Sequence, residues 1–289
     1  MPSNAPIGVF DSGLGGLSVL QAVRALLPHE SLLYVADSGF APYGERPDTF
    51  IEQRSLAIGR WLRERGAKAL VVACNTATAH GVAALRADAS WPVIGVEPGI
   101  KPAAAVSRSG VIGVLATAAT LRSARFADLL ARHTAQGQRF LCQPGHGLVE
   151  RIEAGDVDSS EVMALLDQFV EPMVGQGADT LVLGCTHYPF LIPAIRQRFG
   201  TALTLVDTGA AIARQLQRRL ETDGLNASRH GESHGDLQLM TTANAAALQT
   251  MADRLLPNAP RVQTVDIADI APHAPARLDL PPNLPIIPA

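Results

Sequence analysis

Two cysteines carry the chemical interest of this sequence. Cys74 follows the apolar run Leu70, Val71, Val72 and Ala73 and precedes Asn75, Thr76 and Thr78; Cys185 follows Leu181, Val182, Leu183 and Gly184 and precedes Thr186 and His187. A thiol ionises near pH 8.5, within reach of neutrality, so it can take a proton in one direction and return it in the other. Three chemistries compete for such a pair. Thiolate with His187 suits zinc, but neither C-x-x-C nor a compact Cys/His cluster is present, and no metal is expected. One thiol could act as a nucleophile oriented by His187 or Asp11, which leaves the other idle. Two-base proton transfer, in which one sulfur removes a proton from carbon and the other delivers one to the opposite face, uses both.

Those thiols need elements to place them. An apolar run of four reads as a strand buried on both faces, and the carboxyl ends of such strands are where open α/β sheets bind ligands. The run and its cysteine occur twice: Gly66, Ala67, Leu70, Val71 and Cys74 return as Gly177, Ala178, Leu181, Val182 and Cys185. The opening strand Ile7-Gly8-Val9-Phe10-Asp11-Ser12 is echoed by Ile112-Gly113-Val114-Leu115-Ala116-Thr117, and the strand ending at Glu97 by one ending at Asp207. The pattern predicts two pseudo-symmetric, doubly wound α/β domains with a cleft between them. Residues 1–97 and 208–256 form the first, residues 98–207 the second, and a proline-rich extension follows over 257–289. Strands at 237–241 and 262–265 are expected to complete the first sheet.

Facing strand ends would line the cleft with Ser12, Asn75, Thr76, Thr117 and Thr186, hydroxyls and an amide fit for a small molecule carrying carboxylates. Asp11 is the candidate neighbour for Cys74; His187, with Glu150, is the candidate for Cys185. The irregular loop 37–47 is longer than a connection requires and is expected to cover something, with Tyr43 and Gly44 at its tip. The turn after the first strand, Gly13-Leu14-Gly15-Gly16, suggests an anion cradle of backbone N–H groups. It is not a dinucleotide fingerprint, because Ser18 stands at the third glycine position and Asp11 would repel a pyrophosphate. Inversion at the α-carbon of an amino acid is the natural reaction for opposed thiols. Pyridoxal phosphate would need a lysine, and the sequence has only Lys68 and Lys101, neither at a strand end, so no cofactor is expected. Cys142 reads as core. His230, Glu232 and His234 bracket a glycine-broken loop that does not make a helical zinc motif.

A net charge of −3 over 289 residues gives no electrostatic footprint for nucleic acid or an anionic membrane. No apolar run approaches the ~18 residues of a membrane span. The first residues lack a secretory signal, and three cysteines do not suggest a disulfide framework, so a cytoplasmic setting is expected.

Four stretches together resemble the glutamate racemases of the cofactor-independent aspartate/glutamate racemase superfamily. They are Phe10-Asp11-Ser12-Gly13-Leu14-Gly15-Gly16, Pro42-Tyr43-Gly44, Ala73-Cys74-Asn75-Thr76-Ala77 and Gly184-Cys185-Thr186-His187-Tyr188-Pro189. The resemblance covers roughly residues 7–255. It implies interconversion of L- and D-glutamate without a cofactor, D-glutamate serving peptidoglycan, and leaves room for a homodimer. It further implies that Cys74 deprotonates the D-form and Cys185 the L-form, assisted by Asp11, Glu150 and His187. The matching substrate contacts are Asp11, Ser12, Tyr43, Gly44, Asn75, Thr76, Thr117, Thr186 and His187. The sequence departs from the family's pattern at residues 143–147 and at Ala119. The rival readings are a racemase of aspartate or a related acid, and a non-catalytic carboxylate-binding regulatory protein on the same scaffold.

Overall fold

A computed structural model of the chain describes residues 4–88, 90–134, 137–227 and 234–268. Among the described residues, ten strands form two sheets in which every pairing is parallel. The first contains β1 (Ile7–Asp11), β2 (Leu32–Ala36), β3 (Ala69–Val72), β4 (Val93–Gly95), β9 (Leu237–Thr241) and β10 (Gln263–Thr264), ordered β10-β9-β2-β1-β3-β4. The second contains β5 (Val111–Ala116), β6 (Arg139–Pro144), β7 (Thr180–Gly184) and β8 (Thr204–Val206), ordered β6-β5-β7-β8.

The internal repeat is therefore also a repeat of topology, since β2-β1-β3-β4 and β6-β5-β7-β8 have the same order. In each sheet the order reverses between the two central strands, β1 and β3 or β5 and β7. Loops leaving adjacent strands in opposite directions open a crevice at that point, where open α/β sheets take ligands. Cys74 follows β3 and Cys185 follows β7. Every residue of β1, β3 and β7 is buried, as parallel strands covered by helices on both faces require. One apolar cluster includes Leu14, Val71, Val149, Leu183 and Cys185, so the core is continuous between the two units.

Helix Leu17–Leu26 buries Leu17, Val19, Leu20 and Val23 at the spacing of one helical face and stops short of Pro28. The chain passes from the first sheet to the second after β4 and returns after β8, where helix Gly209–Thr222 packs against helix Leu17–Leu26. Lys68 enters β3 at the end opposite Cys74 and pairs with Glu30 at 2.5 Å, both side chains being almost fully buried. Removing one partner of such a pair costs about 3–5 kcal/mol, because the other charge is left buried and alone.

One expectation is corrected. Cys142 is exposed, because β6 is an edge strand of the second sheet and its residues are only partly covered. The strands expected at 237–241 and 262–265 are found as β9 and β10, which complete the first sheet with β10 at its edge, and Val262 and Ile267 are buried against it. Prolines are tolerated at such an edge, where one side makes no ladder hydrogen bonds. His230, Glu232 and residues 269–289 lie outside the described residues. No helix among the described residues is long and apolar enough to cross a membrane.

Candidate active site

The two switch points face each other. Thr76 Oγ1, from the first unit, lies 2.9 Å from Thr117 Oγ1 of the second, and Thr186 Oγ1 donates to Asp11 Oδ2 at 2.7 Å. Between them is a cleft of about 250 Å³, suited to a small amino acid rather than a dinucleotide. Its lining includes Ser12, Tyr43, Gly44, Cys74, Asn75, Thr76, Thr117, Glu150, Cys185, Thr186 and His187. Of the expected site residues, Asp11 alone is absent from the lining. It is fully buried behind Ser12 and Thr186.

Cys74 occupies the turn into helix Asn75–Asp88, its Sγ accepting from Ala77 N–H at 3.4 Å. Ser12 Oγ lies 3.5 Å from that sulfur and donates to Asp11 Oδ1 at 3.1 Å, so the thiol reaches the carboxylate through one hydroxyl. Burial, with the Asp11 charge behind it, pushes the Cys74 thiol up to about 12, against the opposing pull of Ser12 and Ala77. Burial likewise raises Asp11, although His187, Thr186 and Gly13 pull the other way. Protein groups alone therefore keep Cys74 protonated. A cation beside the sulfur, such as the ammonium group of an amino acid, is what would favour the thiolate.

On the other wall, His187 Nδ1 lies 3.6 Å from Cys185 Sγ. The opposite ring nitrogen, Nε2, meets Glu153 Oε1 at 2.5 Å. Burial pulls His187 down, but its hydrogen bonds to Cys185 and Glu153 and their charges outweigh it, so the imidazole sits well above its ordinary value. The carboxylate on His187 is Glu153, whereas Glu150, one turn earlier on helix Leu148–Glu153, is exposed and lines the cleft. Leu148, Val149 and Ile152 turn the helix's apolar side inward. Helical spacing admits either glutamate near the site, and only the rotation of this short helix selects between them.

The glycine-rich turn is an anion cradle whose anion comes from the protein. Leu14 N–H donates to Glu153 Oε1 at 2.8 Å and Gly13 N–H to Asp11 Oδ1 at 2.9 Å. A Cβ at Gly13 would fall 1.8 Å from Glu153 Oε1, and one at Gly15 would fall 2.3 Å from His187 Nδ1. These glycines are bare because the second unit's relay packs directly on the first unit's backbone. Gly15→Ala is accordingly expected to push His187 away from Cys185. Turnover should fall roughly 100-fold, the worth of about 1 Å of misplacement, with a stability loss of only about 1–3 kcal/mol from overpacking. Steady-state rates beside a urea titration would check it.

The loop over 37–47, expected to cover something, reaches the cleft. It carries two short 3₁₀ turns, Ser38–Phe40 and Tyr43–Glu45, and places Tyr43 and Gly44 at the cleft.

A duplicated parallel scaffold that brings two thiols to one small cleft, Cys74 beside Ser12 and Cys185 beside His187, is suited to moving a proton between the faces of a carbon. The chain belongs to the Asp/Glu/hydantoin racemase family, whose model matches residues 17–216. A glutamate racemase from Cupriavidus pinatubonensis is 57% identical over 91% of this chain and 96% of its own. Among solved structures, a glutamate racemase isoform from Bacillus anthracis superposes with a TM-score of 0.82 at 32% identity, covering 92% of this chain and 98% of that one. Escherichia coli glutamate racemase, solved with L-glutamate and the activator UDP-MurNAc-ala, gives 0.78 at 34% identity over 92% and 100%. The chain is a racemase with a small-molecule substrate.

Proposed function

We propose that this racemase interconverts L- and D-glutamate with Cys74 and Cys185 as its two bases. The reading rests on one observation above all: two buried cysteines at matched strand ends line the same cleft, each backed by a separate relay, Ser12 to Asp11 and His187 to Glu153. With D-glutamate bound, the Cys74 thiolate takes the α-proton and the Cys185 thiol delivers one to the other face. The enzyme is left with Cys74 protonated and Cys185 ionised, the form that accepts L-glutamate. This assignment of thiol to enantiomer follows the family resemblance.

Asn75, Thr76, Thr117, Thr186 and the backbone at Tyr43-Gly44 hold the two carboxylates with neutral donors. Such neutral donors suit a carbanion intermediate whose charge spreads into the α-carboxylate, because donors fixed before reaction need not reorganise as that charge grows. The division into units at residues 1–97 with 208–256 and 98–207 belongs to the same reading, supported by the strand membership of each sheet. So does a cytoplasmic setting, since the mechanism needs reduced thiols and all three cysteines are free. Delivery of D-glutamate to peptidoglycan is the role the resemblance carries.

Reaction in D₂O with each enantiomer separately tests this. Deuterium should enter the α-position of the product from both directions. Faster turnover of aspartate than glutamate would give the reading to its rival, and absence of α-exchange with any amino acid would leave only a binding protein.

A further inference from the structure

The strands unmatched by the internal repeat end in a polar cluster that the reaction does not use. Asp37 follows β2, Thr242 follows β9, and Ile267 lies just past β10; Asp37 and the Ile267 carbonyl bond Arg54 of helix Asp48–Glu64, and Thr242 joins them through Asp37. Arg54 Nε and Nη2 donate to the two Asp37 carboxylate oxygens at 2.8 and 2.7 Å, and its Nη1 donates to the Ile267 carbonyl at 2.6 Å. Thr242 Oγ1 donates to Asp37 Oδ1 at 3.0 Å and accepts from Gly39 N–H at 3.0 Å. The guanidinium also lies over Phe40, 4.0 Å from the ring centre. Arg54 and Asp37 are 1% and 0% exposed, so the pair gains almost nothing from water.

The remaining donor to Asp37 connects this cluster to the cleft. Tyr43 hydroxyl donates to Asp37 Oδ2 at 2.6 Å, and Tyr43 is itself a cleft residue. The next residue, Gly44, approaches the second unit so closely that a Cβ there would lie 3.3 Å from Thr117 Cβ. Loop 37–47 is thus fixed at one end by a bidentate ion pair and spans the cleft at the other. Arginine suits this task because its planar fork serves both carboxylate oxygens and a third acceptor at once; lysine offers a single point charge.

We propose that Arg54 is a positioning residue: together with the C-terminal segment 262–267, which supplies the Ile267 carbonyl, it fixes Asp37 and through it sets Tyr43 and Gly44 over the bound amino acid. The inference rests on the reading of the cleft as the glutamate site. It gives β9 and β10 a purpose that the second sheet, lacking both, does not need. A segment distant in sequence from both thiols thereby becomes part of the substrate site's support.

The test uses the full chain with Arg54→Lys and, since a buried guanidinium can be needed for folding, Thr242→Val as a milder second variant that removes one hydrogen bond to the Asp37 carboxylate. Both should raise KM for glutamate roughly tenfold or more, the worth of one hydrogen bond to a charged group, with kcat held within about threefold because the thiols and their relays are untouched. Combining either with Tyr43→Phe should add little, since both act through the same hydroxyl. A second readout needs no substrate: iodoacetamide labelling of Cys74, followed by mass spectrometry, should accelerate severalfold as the loop loosens. A folded Arg54→Lys or Thr242→Val with wild-type KM and labelling rate overturns the proposal, as does a loss confined to kcat. If Arg54→Lys does not fold, Thr242→Val decides whether the hold on Asp37 sets the loop. If the wild-type protein turns over no glutamate, the functional reading falls instead, and the labelling rates alone decide this inference.

Discussion

Cys74→Ser and Cys185→Ser are each expected to cut racemisation by between ~10² and ~10⁴-fold, the usual worth of a positioned proton-transfer group, while the protein stays folded. A serine hydroxyl keeps the geometry of the thiol but ionises far above it, so it cannot serve as the base. The environment that accepts sulfur also accepts oxygen: Ser12 Oγ and Ala77 N–H face position 74, and His187 Nδ1 faces position 185. Neither variant therefore buries an unpaired polar group, and melting should stay within about 4 °C of wild type, near the shift that 1 kcal/mol gives in a chain of this size. Proton exchange should become one-sided. With Cys185 replaced, Cys74 can still take the proton of the enantiomer that faces it and return a deuteron to the same face. Proton NMR in D₂O would show label in one enantiomer without its mirror image appearing, and circular dichroism would show no racemisation. Near wild-type racemisation by both single variants would remove the two-thiol mechanism.

Much of this arrangement is legible in the sequence. Strand ends at Asp11, Cys74, Thr117 and Cys185 follow from short apolar runs repeated in the same order, because a parallel strand covered on both faces must be apolar along its whole length. Matched strands at matched positions then imply matched switch points, and the cleft follows. What escaped the sequence was decided by rotation and by contacts distant along the chain. Glu150 and Glu153 are one helical turn apart, and the choice between them depends on how one short helix turns above His187. Asp11 was expected in contact with substrate, yet it stands one hydroxyl behind the cleft because Ser12 and Thr186 cover it.

The glycine-rich turn shows the same limit in another form. Its N–H groups do receive anions, as strand-to-helix turns tend to, but those anions are Asp11 and Glu153. The partner from the second unit lies far along the chain, and no local pattern announces it. The link from Arg54 to Ile267 is of this kind as well: an arginine on an amphipathic helix reads as solvated until the last strand is seen to close over it. Local pattern thus places the thiols at the cleft, and long-range packing decides which carboxylates stand behind them.

That choice gives the second large effect, carried by Glu153→Gln. Glutamine can still accept from Leu14 N–H and from the imidazole, so the contact geometry survives while the charge is lost. In the wild type the Cys185 and Glu153 contacts overcome burial and hold His187 protonated well above its ordinary value. Without the Glu153 charge, burial gains ground and the imidazolium loses its proton at lower pH. The alkaline limb of kcat/KM should therefore move toward acid, and turnover near neutrality should fall about 10² to 10⁴-fold if the imidazolium is the acid that manages the Cys185 proton. Stability must follow the same sign. A histidine raised on folding contributes stability that is fully present below its unfolded value near 6.5 and is lost as pH rises through its folded value. The stability gap between wild type and Glu153→Gln should then be widest in acid and narrow toward alkaline pH, as urea titrations at several pH values would show. Glu150→Gln should leave the alkaline limb where it is, because that carboxylate does not touch the imidazole. A limb that shifts in Glu150→Gln and holds still in Glu153→Gln would transfer the assisting role back to Glu150.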